Sequence, residues 1–242
     1  MAPSRQRADR LLVERGLFES RAKAQAAIEA GLVRADERVV RKASEEIAAD
    51  AVLQASAAYP HVSRAGVKLA AALDHFGFNP RGRVCLDAGA STGGFTQVLL
   101  ERGAKTIYAV DVGHGQLHSN LRGRPEIVSL EGTDIRTLAP PGEAPDLIVV
   151  DVSFISLKLV LPAALALAQR PAQLVALIKP QFEAGRAALK RGIVRDTALH
   201  AAVCEDISQF ITALGWRVVG TLPSPIAGGD GNAEFLIGAT HD

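Results

Sequence analysis

Asp87-Ala88-Gly89-Ala90-Ser91-Thr92-Gly93-Gly94-Phe95-Thr96 joins a short apolar run to a segment with helical spacing. Its glycines let the backbone approach a ligand closely and supply the dihedrals of a sharp strand-to-helix turn. The spacing departs from the dinucleotide fingerprint G-x-G-x-x-G. The acid at Asp87 suits a ligand with positive charge, such as S-adenosylmethionine, better than a pyrophosphate; a purely structural glycine turn is the alternative. Asp111 closes the next apolar run, where an acid can accept from ribose hydroxyls or simply cap the strand. Asp134, after the third run, could take an adenine amine, although Asp is common in loops. The candidate cofactor residues are therefore Asp87, Gly89, Ser91, Thr92, Gly93, Gly94, Phe95, Asp111 and Asp134. Asp151 and Lys179 end two further runs, Glu234 opens the last one, and Lys68 lies on a helix leading into the first. Ligands of an open α/β sheet bind beside the carboxyl ends of its strands, and an antiparallel final strand would begin on that same edge. Lys68, Asp151, Lys179 and Glu234 would then share one mouth. Each alone reads as a solvated surface charge, so the coincidence of positions carries the expectation.

For these side chains to meet, strands and helices must alternate. From Ser63 onward a helix over Lys68 to Phe76 precedes apolar runs at Val84-Leu86, Ile107-Val110, Ile127-Leu130, Leu147-Val150 and Leu174-Ile178. That rhythm predicts an α/β fold with an open, mainly parallel sheet covered on both faces. Trp216 to Leu222 and Glu234 to Gly238, joined by a proline- and glycine-rich loop, predict a terminal antiparallel pair.

The first sixty residues differ. Leu11, Leu12 and Val13 predict a short helix stopped by Gly16; Ser20 caps a second helix through Ala24, Ala27 and Ile28, ended by Gly31. Leu32-Val33 and Val39-Val40 predict strands around Asp36-Glu37, and Ala51-Val52-Leu53 a further strand after the polar Ser44-Glu45-Glu46. This predicts a small α+β module over residues 5–60 and a larger domain over residues 61–242. Residues 1–42 hold ten Lys or Arg against six acids. Arg5, Arg7, Arg10, Arg15, Arg21 and Lys23 could form an RNA-contacting face, or merely a solvated one.

Composition sets the outer bounds. The 242 residues are 48% hydrophobic and 22% charged, which predicts a globular chain, not pervasive disorder. With 27 basic and 26 acidic residues, a nucleic acid must be met by local clusters, not by a globally basic field. Cys85 and Cys204 lie far apart, which suits a reducing cytoplasm. The residues from Met1 to Arg10 do not read as a signal peptide, and the oily stretch Leu159 to Ile178 is broken by Pro162, Arg170 and Pro171, so it reads as a buried helix and strand. His114 and His118 have i, i+4 spacing but no evident third ligand, so no metal is expected. Trp216 and Phe182 could stack a base or pack in the core.

The motifs carry a resemblance. Ser63-Arg64-Ala65-Gly66-Val67-Lys68-Leu69, the Asp87 to Thr96 loop, Ala109-Val110-Asp111-Val112-Gly113, Asp151-Val152-Ser153-Phe154-Ile155-Ser156-Leu157, Ile178-Lys179-Pro180-Gln181-Phe182-Glu183, Gly192-Ile193-Val194-Arg195-Asp196 and Gly231-Asn232-Ala233-Glu234-Phe235 occur in this order. The larger domain resembles the FtsJ-type ribose methyltransferases. Over nearly its full length the chain is similar to the TlyA family, bacterial ribosomal-RNA 2′-O-methyltransferases also labelled haemolysins. Ser20-Arg21-Ala22-Lys23-Ala24 with Ala30-Gly31 resembles the αL-type RNA-binding domain named after a small-subunit ribosomal protein. The hairpin turn Ala35-Asp36-Glu37 departs from the more basic or glycine-containing turn of relatives.

The resemblance implies a Rossmann-like class I methyltransferase sheet, S-adenosylmethionine as cofactor, ribosomal RNA within ribosomal subunits as partner, cytidines as targets, and Lys68, Asp151, Lys179 and Glu234 as the catalytic set. It puts Lys179 in the role of base toward an unactivated ribose hydroxyl; a lysine can fill such a role once desolvation and a neighbouring cation lower its pKa from about 10.4. Catalysis by orientation without a base is the competing mechanism. Three other functions stay open: a non-catalytic RNA-binding assembly factor, a small-molecule methyltransferase, and a haemolysin. For the last, no spanning helix or set of barrel strands is evident.

Overall fold

Ser20 and Gly31 bracket a helix as the sequence predicts: the Ser20 hydroxyl accepts from the Lys23 N–H at 3.3 Å, and Gly31 takes a φ of +72° just past the other end. The computed structural model describes residues 4–185, 189, 192–228 and 231–242. Residues 229 and 230 of the predicted proline- and glycine-rich loop, and residues 1–3 of the amino-terminal stretch, lie outside the described residues. The chain divides into two units, Met1–Pro60 and His61–Asp242.

The first unit runs β1 (Arg5–Arg7), α1 (Ala8–Glu14), α2 (Arg21–Glu29), β2 (Val33–Ala35), β3 (Arg38–Val39), β4 (Glu46–Ala48) and β5 (Leu53–Ala55). β1 pairs antiparallel with β4, and β3-β2-β5 form a second small sheet. Leu11, Leu12, Ala24, Ala27, Ile28 and Val33 supply its core. Two expectations are corrected. The predicted strand at residues 51–53 begins only at Leu53, and the polar stretch ending at Glu46 opens β4. β4 buries Ile47 alone, so it has no period-2 signal of its own; its partner β1 supplies the reason to be a strand. The turn between β2 and β3 has Asp36 and Glu37 at φ of +48° and +65°, the left-handed conformation that two-residue hairpins favour. Asp36 tolerates it because its carboxylate also accepts the Val52 N–H at 2.9 Å.

The second unit runs α3 (Ala65–Phe76), β6 (Val84–Ala88), α4 (Gly94–Glu101), β7 (Thr106–Asp111), β8 (Ile127–Glu131), a 3-10 turn (Ile135–Thr137), β9 (Leu147–Val150), α5 (Leu157–Ala166), β10 (Ala172–Ile178), α6 (Pro180–Glu183), α7 (Thr197–Ala213), β11 (Arg217–Pro223) and β12 (Phe235–His241). Its sheet has the order β11-β12-β10-β9-β6-β7-β8. The run from β10 to β8 is parallel, and β12 lies antiparallel between β10 and β11. Parallel strands covered on both faces are apolar throughout, and Leu147–Val150 is buried at every position. α5 and α7 pack on one face; α3 and α4 pack on the other.

Two features of this sheet place the charged residues. Strand order reverses between the parallel neighbours β6 and β9, where ligands of such sheets bind. The β10–β12 register sets Ile178 opposite Phe235, so Lys179 and Glu234 leave the sheet side by side. α3 is drawn onto β12 because Gly238 leaves room for the Phe76 ring, which a Cβ there would overlap. That contact brings Lys68, two turns back along α3, toward the start of β12.

In the first unit, fully buried Asp9 accepts from Arg7 and Arg21 at 2.7 to 3.1 Å and from Gln25 at 2.9 Å. The Arg7 bond, followed by those of Arg21 and Gln25, holds its carboxyl far below the usual range. A depressed carboxyl stabilises the fold above its unfolded pKa of about 4 and loses that contribution as pH falls further. Asp9→Asn in the full chain is therefore expected to speed amide exchange in α1 and α2 at least about tenfold at pH 7. The gap from wild type should shrink on acidification, and exchange in β6 and β9 should not change.

Candidate active site

Lys68 Nζ donates to Glu234 Oε2 at 2.5 Å, and both residues are buried. Lys179 Nζ forms an ion pair with Asp151 Oδ1 at 2.7 Å and donates to the Ser153 hydroxyl at 2.8 Å. The structure thus brings the four predicted residues together as two lysine–carboxylate pairs. Lys68, Lys179 and Glu234 line a cavity of about 410 Å³ together with Ser153, Phe154 and Phe182. Asp151 faces the neighbouring cavities, so its pairing with Lys179 connects the two spaces.

The segment after β9 forms the partition. Glu183 fastens it by accepting from the Ser156 hydroxyl at 2.5 Å and the Leu157 N–H at 2.8 Å. Within it, Phe154 has a φ of +65° and is 91% exposed. A bulky side chain at positive φ is strained and needs surroundings that over-determine it. Its ring centroid lies 5.1 Å from that of Phe182.

On the other side of the partition a cavity of about 530 Å³ is lined by Gly89, Ser91, Asp111, Val112, Gln116 and Thr133 to Arg136, among others. Gly89, at φ +88°, has no room for a Cβ beside the Asp151 carbonyl. The two Asp111 oxygens accept the Ser91 N–H at 2.8 Å and the Gly113 N–H at 2.7 Å, which fixes the carboxylate at the cavity wall. Beneath the glycine turn, fully buried Asp87 accepts the Thr96 hydroxyl at 2.6 Å through one oxygen, and its other oxygen is buried without a partner. Burial pushes this carboxyl up to about 7, opposed by the Thr96 bond and aided by the Asp151 and Asp111 carboxylates. An orphaned buried carboxylate oxygen, a cradle closed to Cβ atoms and a fixed acid at a strand end fit a ligand with a cationic amino-acid end and a ribose, as S-adenosylmethionine has.

The other expected residues divide. Thr92, Gly94 and Phe95 line a smaller cavity of about 220 Å³ with Ser63 and Lys179, whereas Gly93 packs on Leu117 and Leu121. Asp134 reaches the large cavity as a pair with Arg136, whose backbone N–H and guanidinium it accepts. Trp216 is buried in the core and stacked on His241, so it offers no surface to a base. Sequence reasoning missed Ser63, Gln116, Ser153 and Phe154 as lining residues. Three of these lie inside the quoted motifs, but nothing in their type marks them as exposed to a cavity.

In the first unit, five of the six predicted RNA-contacting cations have partners within the unit. Arg5 donates to the Glu46 carbonyl, Arg15 to the Ala49 and Ala51 carbonyls, and Arg7 and Arg21 to Asp9. Lys23 pairs with Glu19, and Arg10 is exposed.

Residues 61–241 match the FtsJ-like methyltransferase family model, and residues 6–53 match the S4 domain. The chain is 45% identical over 240 residues to the Mycobacterium tuberculosis protein named 16S/23S rRNA (cytidine-2′-O)-methyltransferase TlyA, covering 96% of this chain and 89% of that one. It is 40% identical over 234 residues to Hemolysin A of Brachyspira hyodysenteriae, covering 95% and 98%. A solved Streptococcus thermophilus protein labelled a hemolysin superposes with a TM-score of 0.79 at 40% identity, over 100% of this chain and 90% of that one.

The raised Asp87 pKa has two expected consequences of opposite sign. Without ligand, a folded value above the unfolded one means that stability falls as pH rises from about 4 toward 7. Calorimetric affinity for cationic S-adenosylmethionine should instead tighten between about pH 5.5 and 7.5. Asp87→Asn is expected to weaken binding about tenfold at pH 7.5 and to flatten both dependences.

Proposed function

The chain belongs to the FtsJ-like methyltransferase family, and from that premise we propose that it methylates the 2′-hydroxyl of a ribose in ribosomal RNA, a cytidine as in the M. tuberculosis relative's name. The observation that carries this reading is the pair of lysine–carboxylate contacts whose two lysines and Glu234 line a cavity beside the cofactor-shaped one. S-adenosylmethionine, when bound, supplies a methyl group on a good leaving group. The Asp111 carboxylate receives ribose hydroxyls of that cofactor, and Val112 and Ile135 flank its adenine. Asp87, buried beneath the glycine turn with one oxygen unpartnered, supplies the negative charge toward the amino-acid end.

The chain's remaining task is to hold an unactivated hydroxyl in line and remove its proton. Lys179 stands where the smaller cavity of the glycine turn meets the lysine-lined one. In its neutral form Nζ takes the ribose proton as the oxygen–carbon bond forms, and Asp151 and Ser153 orient it. Lys68 and Glu234 neutralise each other and wall the cavity from water. Phe154, exposed beside Phe182, stacks on the base of a nucleotide turned out of its helix; such stacking contributes about 1 to 3 kcal/mol.

Residues 5–60 supply the RNA grip and residues 61–242 the transfer. Phosphate contacts make the affinity fall with salt. On this reading the activity is cytoplasmic, where ribosomal subunits are found. Among the described residues no helix is long and apolar enough to cross a membrane, so the hemolysin label of some relatives receives no support from a spanning helix.

The test incubates purified protein and labelled S-adenosylmethionine with unmodified small and large ribosomal subunits and maps the ribose methyl groups. Label at discrete 2′-oxygens is expected; unlabelled RNA from both subunits would overturn the reading. Lys179→Ala should slow single-turnover transfer about 10² to 10⁴-fold, and an undiminished rate would remove its role as base. Phe154→Ala should raise the KM for RNA about tenfold without changing cofactor affinity.

A further inference from the structure

Glu131 ends β8, an edge strand, and lies directly across from Asp111 in the β7–β8 register. Its carboxylate accepts three consecutive backbone N–H groups from the loop that leaves β7: Gly115 at 3.0 Å, Gln116 at 2.6 Å and Leu117 at 2.9 Å. The same loop is tied from its other side, where Arg122 donates to the Leu117 carbonyl at 2.6 Å and the Gly115 carbonyl at 2.7 Å. Asp111 takes the Gly113 N–H, and the Gly113 carbonyl accepts from Gly132 at 2.8 Å. Two facing carboxylates thus divide the donors of one short segment that has no helix or strand of its own.

The held segment shapes the large cavity. Gln116 lines it, and its side-chain amide lies across Gly113 where a Cβ would overlap it, beside the Asp111 carboxylate. Leu117 and Leu121 pack on Gly93, and the His118 N–H donates to the Thr92 carbonyl at 3.2 Å, so the segment also braces the glycine turn. We propose that Glu131 is a positioning residue for the cofactor pocket: it fixes the Gly113–Leu117 loop so that the Gln116 amide reaches the ribose edge of the bound nucleoside next to Asp111. This rests on the reading of that cavity as the S-adenosylmethionine pocket. A neutral amide at position 131 would still accept through one oxygen, but its NH₂ would face backbone donors and release the loop.

The experiment measures S-adenosylhomocysteine binding to the full chain by calorimetry, with amide exchange at residues 115–117 as the structural readout. Glu131→Gln is expected to raise the Kd about tenfold and to abolish exchange protection at those amides. The KM for RNA and the rate at saturating cofactor should stay within about twofold. Gln116→Ala should weaken binding about threefold or more with the loop amides still protected. An unchanged Kd in Glu131→Gln overturns the positioning role. If that variant does not fold, the wild-type exchange and Gln116→Ala decide: unprotected loop amides, or an unchanged Kd, overturn the proposal. A wild-type chain that does not bind S-adenosylhomocysteine at all would instead remove the pocket reading beneath it.

Discussion

The contact between Lys68 and Glu234 joins the first helix of the larger unit to the start of its last strand, and both partners are buried. Such a pair is a poor source of stability, because desolvating two charges offsets most of their attraction, yet losing one partner strands the other in a low-dielectric site. Its value lies in geometry. Glu234 leaves β12 beside Lys179 at the end of β10, so the contact that anchors α3 also fixes the neighbour of the second pair, Lys179 and Asp151. Remove the antiparallel direction of β12 and Glu234 would lie at the opposite edge of the sheet, with no partner for Lys68.

The second constraint is the partition between the cavities. Asp151, Ser153 and Phe154 belong to one short segment after β9, fastened by Glu183; all three face the cofactor-shaped cavity, and Ser153 and Phe154 also face the lysine-lined one. A donor and an acceptor held on either side of such a wall react only through its gap, which is how orientation lowers a barrier without new chemistry. The acids around the first cavity are treated differently by their surroundings. Asp87, sealed and half-satisfied, is pushed toward neutrality, whereas Glu131, bonded first by the Leu117 N–H and then by those of Gln116 and Gly115, is held below the usual range.

Much of this architecture was legible in the residues. Alternating apolar runs gave the parallel strands, and Asp151, Lys179 and Glu234 could be placed on one edge because topology, not packing, decides where strand ends lie. What escaped notice depends on partners remote in sequence. β4 is a strand because β1 lies beside it, not because of its own pattern. Phe154 points to solvent because its backbone is held at positive φ, and no periodicity reports that. The arginines read as free cations around Arg7 and Arg21 converge instead on Asp9, an acid whose burial is invisible until the two helices pack. Glu131 has an unremarkable place in an apolar run, and its three backbone donors come from a loop some fifteen positions away.

A double-mutant cycle on Lys68 and Glu234, read as the single-turnover rate of methyl transfer to ribosomal RNA, tests most directly whether the buried pair acts as one positioning unit. Lys68→Met and Glu234→Gln should each slow transfer by about a hundredfold, and the double variant should be no slower than the worse single, because removing both charges leaves none stranded. Slowing that multiplies, with the double variant at about ten-thousandfold, would mean that the two residues act independently and would contradict the account.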